Sequence, residues 1–395
     1  MRVRTITLGV GAPHPLGTEV FDLIDPVLSM AQAEFERAGY EVQSARIALR
    51  PVFVDLAEWS ARELLEYCGY LQQMCVAREI YYCSIGHIPA NAPDADLRRI
   101  SLLTDVLTMN PTLSASVQIA STADGLRPDA ALPAARVICD LARQTDEGLG
   151  NLFFSVAANC PPQTPFFPVA YHDSPEWGFS IGLQSAGLVG DTLRTAAQEC
   201  GSGLLALRDG AATARLIAVL EEMGRPIADL CDGWREHDIA YYGLDLSPAP
   251  YGEESIGDAL EQGGLGYFGE PGTTTVAAAI TAALKGTSLR TCGYCGLMLP
   301  PLADAVISER LAEGRLTLDS LLLYSAVCGS GLDSIPIPGD TAPERIAHVL
   351  LDLGALAVRL RKPLSARLLP ILGKQAGEMT TFSSPYLVNA PILRV

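Results

Sequence analysis

The residue types with the most chemistry in them are cysteines, carboxylates and a few cations placed beside glycine-rich turns. Cys292-Gly-Tyr-Cys295 is a C-x-x-C pair, and Cys328 stands where an apolar helical stretch runs into Gly329-Ser-Gly331. A thiolate in such a turn is a nucleophile or a metal ligand; a protonated thiol there is a small packing residue. No second C-x-x-C and no close histidine pair accompanies it, so half a zinc site is all the spacing offers. Tyr171-His172-Asp173 sets an imidazole next to a carboxylate, an arrangement suited to general acid–base work. Asp245-Leu-Ser-Pro-Ala-Pro and the following Glu253-Glu254-Ser255 place carboxylates in a proline-stiffened loop ahead of a helix, where they serve either as acid or base or as helix caps. Asp245, Glu254 and Asp333 are also the oxygen donors a hard cation would use.

Three further segments suit an anion. The run from Ser114 through Ser121, Thr122 and Asp124-Gly125 ends a strand in a hydroxyl-rich turn, which either offers O–H and N–H groups to an anion or is an ordinary Asp-Gly turn. Gly272, Thr273 and Thr274 open an alanine-rich helix whose first N–H groups are free donors. Arg367 sits in the apolar run SARLLP, where a guanidinium pairs with a carboxylate or holds an anionic ligand. Neither a Walker A loop nor a G-x-G-x-x-G turn is present, and nothing points to an organic cofactor.

The elements that must position these residues alternate. Strand patterns fall at 3–10, 42–49, 80–85 and 113–119, with helical patterns at 20–38, 56–78, 95–109 and 131–143 between or after them. Residues 153–158 and 179–183 read as a strand pair joined by the proline-rich CPPQTPFFP. The second half reads as a helix at 211–236 broken at Gly224 and Pro226, a strand ending at Asp245, and helices at 256–262, 273–285, 302–312, 318–327 and 343–360. Strands at 367–372 and 386–393 close the chain. Such alternation predicts an α/β fold with a largely parallel sheet, and the lack of linkers or repeats predicts one compact unit.

The 395 residues carry 45 acidic and 28 basic side chains, a net charge of −17, with 49% hydrophobic positions. That balance excludes a disordered chain and opposes binding to nucleic acid or anionic membranes. The longest apolar tract, near 276–284, is too short to cross a bilayer, and ten scattered cysteines read as reduced thiols, so the expectation is a soluble cytoplasmic protein.

Taken in order, RTITLG from Arg4, SASVQIAST, DLSPAP with EES, GTTT, GYCGLMLP, VCGSGLDSIPIPGDT, GALAV, SARLLP and a late AP resemble the DUF711 family, also called UPF0210, over nearly the whole chain. The resemblance implies a large α/β barrel like that of pyruvate formate-lyase-like glycyl radical enzymes, and a homodimer. The radical signature itself is missing from the C-terminal segment. Cys328, Asp333, Lys362 and Arg367 keep the family's pattern, whereas Pro271 replaces a histidine, Cys295 a serine, and Pro363-Leu364 a threonine pair. These departures suggest a specialised member, such as one from a biosynthetic pathway. The function expected is a non-radical enzyme acting on a small carboxylate- or carbonyl-bearing metabolite at the barrel centre. In it Lys362, Arg367, Asp333, Ser121, Thr122 and the Gly272–Thr274 turn bind substrate. Cys328 or Cys295 acts as nucleophile or proton carrier, with Asp245, Glu254 or His172 as acid or base. A binding protein without chemistry and a carboxylate-metal enzyme are the alternatives.

Overall fold

The computed structural model describes residues 2–234 and 238–395. Eleven strands form one sheet: β1 (Arg2–Gly9), β2 (Glu41–Val42), β3 (Ala45–Ala48), β4 (Cys83–Ile88), β5 (Leu113–Ser121), β6 (Gly125–Leu126), β7 (Phe154–Ala158), β8 (Gly178–Leu183), β9 (Ala240–Asp245), β10 (Gly331–Pro338) and β11 (Leu364–Ile371). The main path runs β10-β11-β7-β5-β4-β3-β1-β8-β9, with β2 on β1 and β6 on β5. All neighbours are parallel except β1–β8, β7–β11 and the short β5–β6. The fold is therefore mixed α/β with a large, mostly parallel sheet. Between the two ends of the path lies the segment 291–297: Thr291 bridges to Leu244 beside β9, and the Leu297 carbonyl accepts from Ser330 N–H just before β10.

Several expected elements are redrawn. The helix expected over 56–78 is shorter, Ala61–Val76, and a separate short helix, Val52–Asp55, precedes it. Ser60 ends the gap with a capping box in which its Oγ accepts from Glu63 N–H and the Glu63 carboxylate accepts from Ser60 N–H. Proline does not break Thr18–Arg37 or Ala211–Asp232: Pro26 and Pro226 lie on the exposed side of each helix, where the carbonyl left without a donor is open to solvent. Gly224 is needed there for space, since a Cβ would lie 2.5 Å from the Leu289 side chain. The expected end of that helix at 236 lies outside the described residues. The strands at 153–158 and 179–183 exist but do not pair; β5, β4, β3 and β1 stand between them. No strand forms at 386–393, where a single bridge joins Met379 to Pro391. Conversely β10 was hidden by its prolines, which a strand with only one neighbour on the path tolerates.

Side-chain alternation gives the sheet two unlike faces. Val117 and Ile119 on β5, Phe179 and Ile181 on β8, and Ile6 and Leu8 on β1 enter the main apolar core with the helices. The opposite face carries Thr5, Thr7, Arg46, Ser84, Ser116, Gln118, Ser180 and Arg367. Against it lies the proline-rich stretch expected to be a mere connection. Ser84 Oγ donates to Ala170 O (2.5 Å), Ser180 Oγ to Gln163 O (2.6 Å), and Cys160 N–H to Gln118 Oε1 (3.1 Å). Ala48 packs with Phe167 and Ala170, and Ala157 with Cys160, Phe166 and Tyr171. Residues 159–173 thus fill the polar side of the sheet as the helices fill the apolar side.

Candidate functional site

Three arginines point to that polar side, from β1, β3 and β11. Arg367 is compensated: its Nε and Nη2 donate to Asp333 Oδ1 at 2.8 and 2.5 Å, and Nη1 donates to Leu152 O at 3.2 Å. Arg4 and Arg46 make no such bond to a carboxylate. The side-chain bond recorded for Arg4 goes to the Met298 thioether (3.3 Å), and that of Arg46 to Ser44 Oγ (2.8 Å). The Arg46 guanidinium also lies 5.1 Å from the Phe167 ring centroid and 4.8 Å from that of Tyr82. Among the described residues neither guanidinium forms an ion pair. Both line a half-open space of about 20 Å³ with Phe166, Phe167, Met298, Asp245 and Ser247. Burial lowers the pKa of Arg4, with Asp333 partly restoring it. Burial and then the nearby Arg4 charge push that of Arg46 down to about 9, which still leaves it cationic at neutral pH.

Asp245 closes the opposite wall. Its Oδ1 accepts from Ser247 N–H (2.9 Å), Ser247 Oγ (2.5 Å) and Cys295 N–H (3.2 Å), and Oδ2 accepts from Tyr294 N–H (3.2 Å). Burial raises its pKa and these four donors oppose the rise. The carboxylate therefore organises the loop after Thr291, which explains the Gly-x-Cys-Gly spacing. Gly293 has φ +68°, and a Cβ there would sit 2.4 Å from Asp245 Oδ2. A Cβ on Gly296 would sit 2.1 Å from Gly329 Cα, so these two glycines let the loops before β10 touch.

The cysteines are placed as thiols. Cys292 Sγ donates to Gly243 O at 3.2 Å and Cys295 Sγ to Leu244 O at 3.6 Å. Burial raises both pKa values, that of Cys295 to about 12, and the neighbouring Asp245 charge raises them further. Cys328 is fully buried and raised by burial, against the pull of Lys362. None has the depressed pKa of a resting thiolate nucleophile. Lys362 is occupied by structure: Nζ donates to the carbonyls of Ser325 (2.9 Å), Ala326 and Cys328, the exit of the helix Leu318–Tyr324. It is not free to hold a substrate anion.

The remaining expected residues lie apart. His172 is fully buried, its Nε2 against Glu176 O (2.9 Å), and burial lowers its pKa toward the neutral form. The Glu254 carboxylate accepts from Gly187 N–H at the start of the helix Ala186–Glu199, so it acts as a helix-end charge. Ser255 caps its own helix and donates to Asp304, whose carboxylate also accepts from Ile256, Gly257 and Ile307 N–H. Ser121 Oγ and Thr122 stay in an exposed turn, bonded to Asp124 and Asn159. The Gly272–Thr274 helix start lies against Leu265, and Thr273 Oγ1 accepts from Gly269 N–H. Among the described residues no three His, Cys, Asp or Glu side chains converge as metal donors, so Asp245, Glu254 and Asp333 do not form a cation site.

Arg4 and Arg46 were the residues missed. Their signal was present: each is a cation inside a largely apolar or hydroxylic strand, RVRTITLG (which also opens on the exposed Arg2) and ARIA, the same feature that singled out Arg367.

Fold and cavity together define an α/β protein with an arginine-walled pocket on the polar face of a mostly parallel sheet. The sequence places it more closely: residues 1–383 match the family model described as Uncharacterised ACR (DUF711), and the chain belongs to that family. It is 28% identical to a UPF0210 protein of Pelotomaculum thermopropionicum over 100% of this chain and 90% of that protein. Similar values hold for a UPF0210 protein of Pyrobaculum arsenaticum, 27% over 97% and 88%, and one of Pyrobaculum aerophilum, 28% over 95% and 86%. Among the described residues no helix is long and apolar enough to cross a membrane.

Proposed function

We propose that the protein is an enzyme that binds a small carboxylate- or carbonyl-bearing metabolite between Arg4, Arg46 and Asp245. One observation carries the reading: two half-buried guanidiniums line one space and, among the described residues, neither forms an ion pair, an arrangement that favours an anionic guest. Asp245 is the acid–base group in this proposal, since it lines the same space, is oriented by four donors and has a pKa raised by burial. The β9-to-β10 approach through 291–297 supports reading the sheet as a barrel around this centre, in one unit. A cytoplasmic homodimer with a place in biosynthesis remains part of the proposal, drawn from family resemblance and composition.

The test has two stages. Small keto acids and carboxylates are titrated calorimetrically against the wild type and Arg4→Gln; binding that the variant loses supports the site. Bound keto acids are then incubated in D2O and followed by NMR. Deuterium entering next to the carbonyl, and not in Asp245→Asn, supports proton transfer. A ligand recovered unchanged and unlabelled would leave the second reading, a binding protein, which the protonated state of the nearby thiols favours.

A further inference from the structure

The cations around this space are not equivalent, and their surroundings indicate which part of a ligand enters it. Resting on the site proposed above, we infer that the ligand presents one carboxylate, taken end-on by Arg46, while the rest of the molecule stays on the open side.

Three guanidiniums, Arg4, Arg46 and Arg367, face two carboxylates, Asp245 and Asp333, which leaves a surplus of a single positive charge. Arg367 is bonded to Asp333. Arg4 is placed by a β-bulge. Val3 lies opposite Leu183 but Thr5 opposite Gly182, so Arg4 is the extra residue, and both it and Thr5 line the space. Gly182 is in turn opposite Asp245 on β9, and the charges of Asp333 and Asp245 both favour the Arg4 cation. Arg46 has a different setting: the groups whose charge acts on it are Arg4, Tyr82 and Arg367. The surplus charge therefore resides on Arg46, and one negative charge balances it.

Arg46 is also presented as a fork. Its Nε donates to Ser44 Oγ (2.8 Å), and that hydroxyl donates to Arg4 O (3.1 Å), which fixes the root of the guanidinium. The Tyr82 and Phe167 rings lie against it, with centroids at 4.8 and 5.1 Å. Among the described residues no acceptor takes a hydrogen bond from its Nη1 or Nη2. Two parallel N–H groups in one plane match the two oxygens of a carboxylate. The room of about 20 Å³ exceeds the roughly 10–15 Å³ that a water needs, so it takes one carboxylate head and no second acidic group. The body of the ligand then lies where the space opens.

The test ranks ligands on the full chain by calorimetry near neutral pH and at fixed ionic strength. Acetate, butyrate and pyruvate are compared with malonate, inorganic phosphate and the neutral methyl pyruvate. At least one monocarboxylate is expected to bind about ten-fold tighter than malonate, phosphate or methyl pyruvate. Butyrate should stay within about three-fold of acetate, because its tail leaves by the open side. Arg46→Lys keeps the charge and removes the fork, so monocarboxylate binding should weaken about ten-fold with the urea midpoint unchanged. The wild-type ranking decides by itself if that variant does not fold. Three results would overturn the single-carboxylate inference and leave the site: malonate or phosphate binding as tightly as the monocarboxylates, butyrate falling about ten-fold below acetate, or a folded Arg46→Lys binding as wild type does. Methyl pyruvate equalling pyruvate would overturn it too, and leave a carbonyl-bearing ligand. No binding by any of these compounds would overturn the site as well.

Discussion

Phe179 and Ser180 are neighbours in β8 and belong to different environments. Phe179 is fully buried in the apolar core under the helices, whereas Ser180 Oγ reaches across to Gln163 O in the proline-rich layer. The same contrast repeats along β5, with Val117 in the helix-side core and Ser116 on the other face. One face of the sheet is held by area removed from water. The other is held by specific hydrogen bonds to the proline-rich layer; buried polar atoms without a partner occur on both sides, at Ser116 Oγ and His87 Nδ1 as at Thr108 and Thr281 Oγ1 in the helices. Stability should therefore reside in the helix side, and ligand recognition in the loop side, where the arginine-lined space opens.

Substituting the two faces separately should show this. Phe179→Ala removes a buried aromatic ring and is expected to destabilise by about 3–5 kcal/mol in urea denaturation. A loss under 1 kcal/mol would contradict the assignment of stability to that face. Acid titration gives the next effect. Burial lowers the pKa of His14 and His87 to about 4, with Arg50 O and Asp173 respectively opposing. Each is thus below its unfolded value, so each contributes stability that is complete above pH 6.5 and is lost as pH falls toward 4. The contribution is up to about 3 kcal/mol apiece. His14 has both ring nitrogens engaged, by Tyr67 and Arg50 O, while His87 Nδ1 is unmatched. The His87→Gln variant should flatten the stability curve between pH 4 and 6.5; an unchanged slope there would place the acid sensitivity elsewhere.

Two smaller effects separate the faces more finely. Ser180→Ala should lose about 1 kcal/mol, the worth of one buried hydrogen bond, and leave the helix-side core untouched. Arg46→Gln should leave the ligand-free protein as stable as wild type or more stable by about 1 kcal/mol, because it removes a half-buried charge that forms no ion pair among the described residues. Urea midpoints of ligand-free protein test both. A large loss in Arg46→Gln would mean that the guanidinium is a structural prop.

How far these features could be read from the chain depends on the range of the interactions involved. Helix bounds such as Ile256–Gln262 and Pro343–Leu360 follow from local periodicity and caps, and they match expectation. The strand pattern of 113–119 was legible because alternation is local. Lys362 and Arg367 looked equivalent in sequence, both cations beside a strand. Only folding sent one to three helix-end carbonyls and the other to Asp333. The C-x-x-C offered a nucleophile or half a zinc site in sequence, and the loop turns its thiols toward the carbonyls of β9.

By itself the sequence determined the family, the α/β alternation and which strand positions are polar, because side-chain period and residue order are properties of neighbours in the chain. Only the tertiary structure decided that the proline-rich stretch covers the polar face, that Arg4 and Arg46 share one space with Asp245, and that neither forms an ion pair there among the described residues. Charge compensation depends on groups dozens to hundreds of residues apart, and their meeting is set by sheet order and loop packing, which no local pattern encodes.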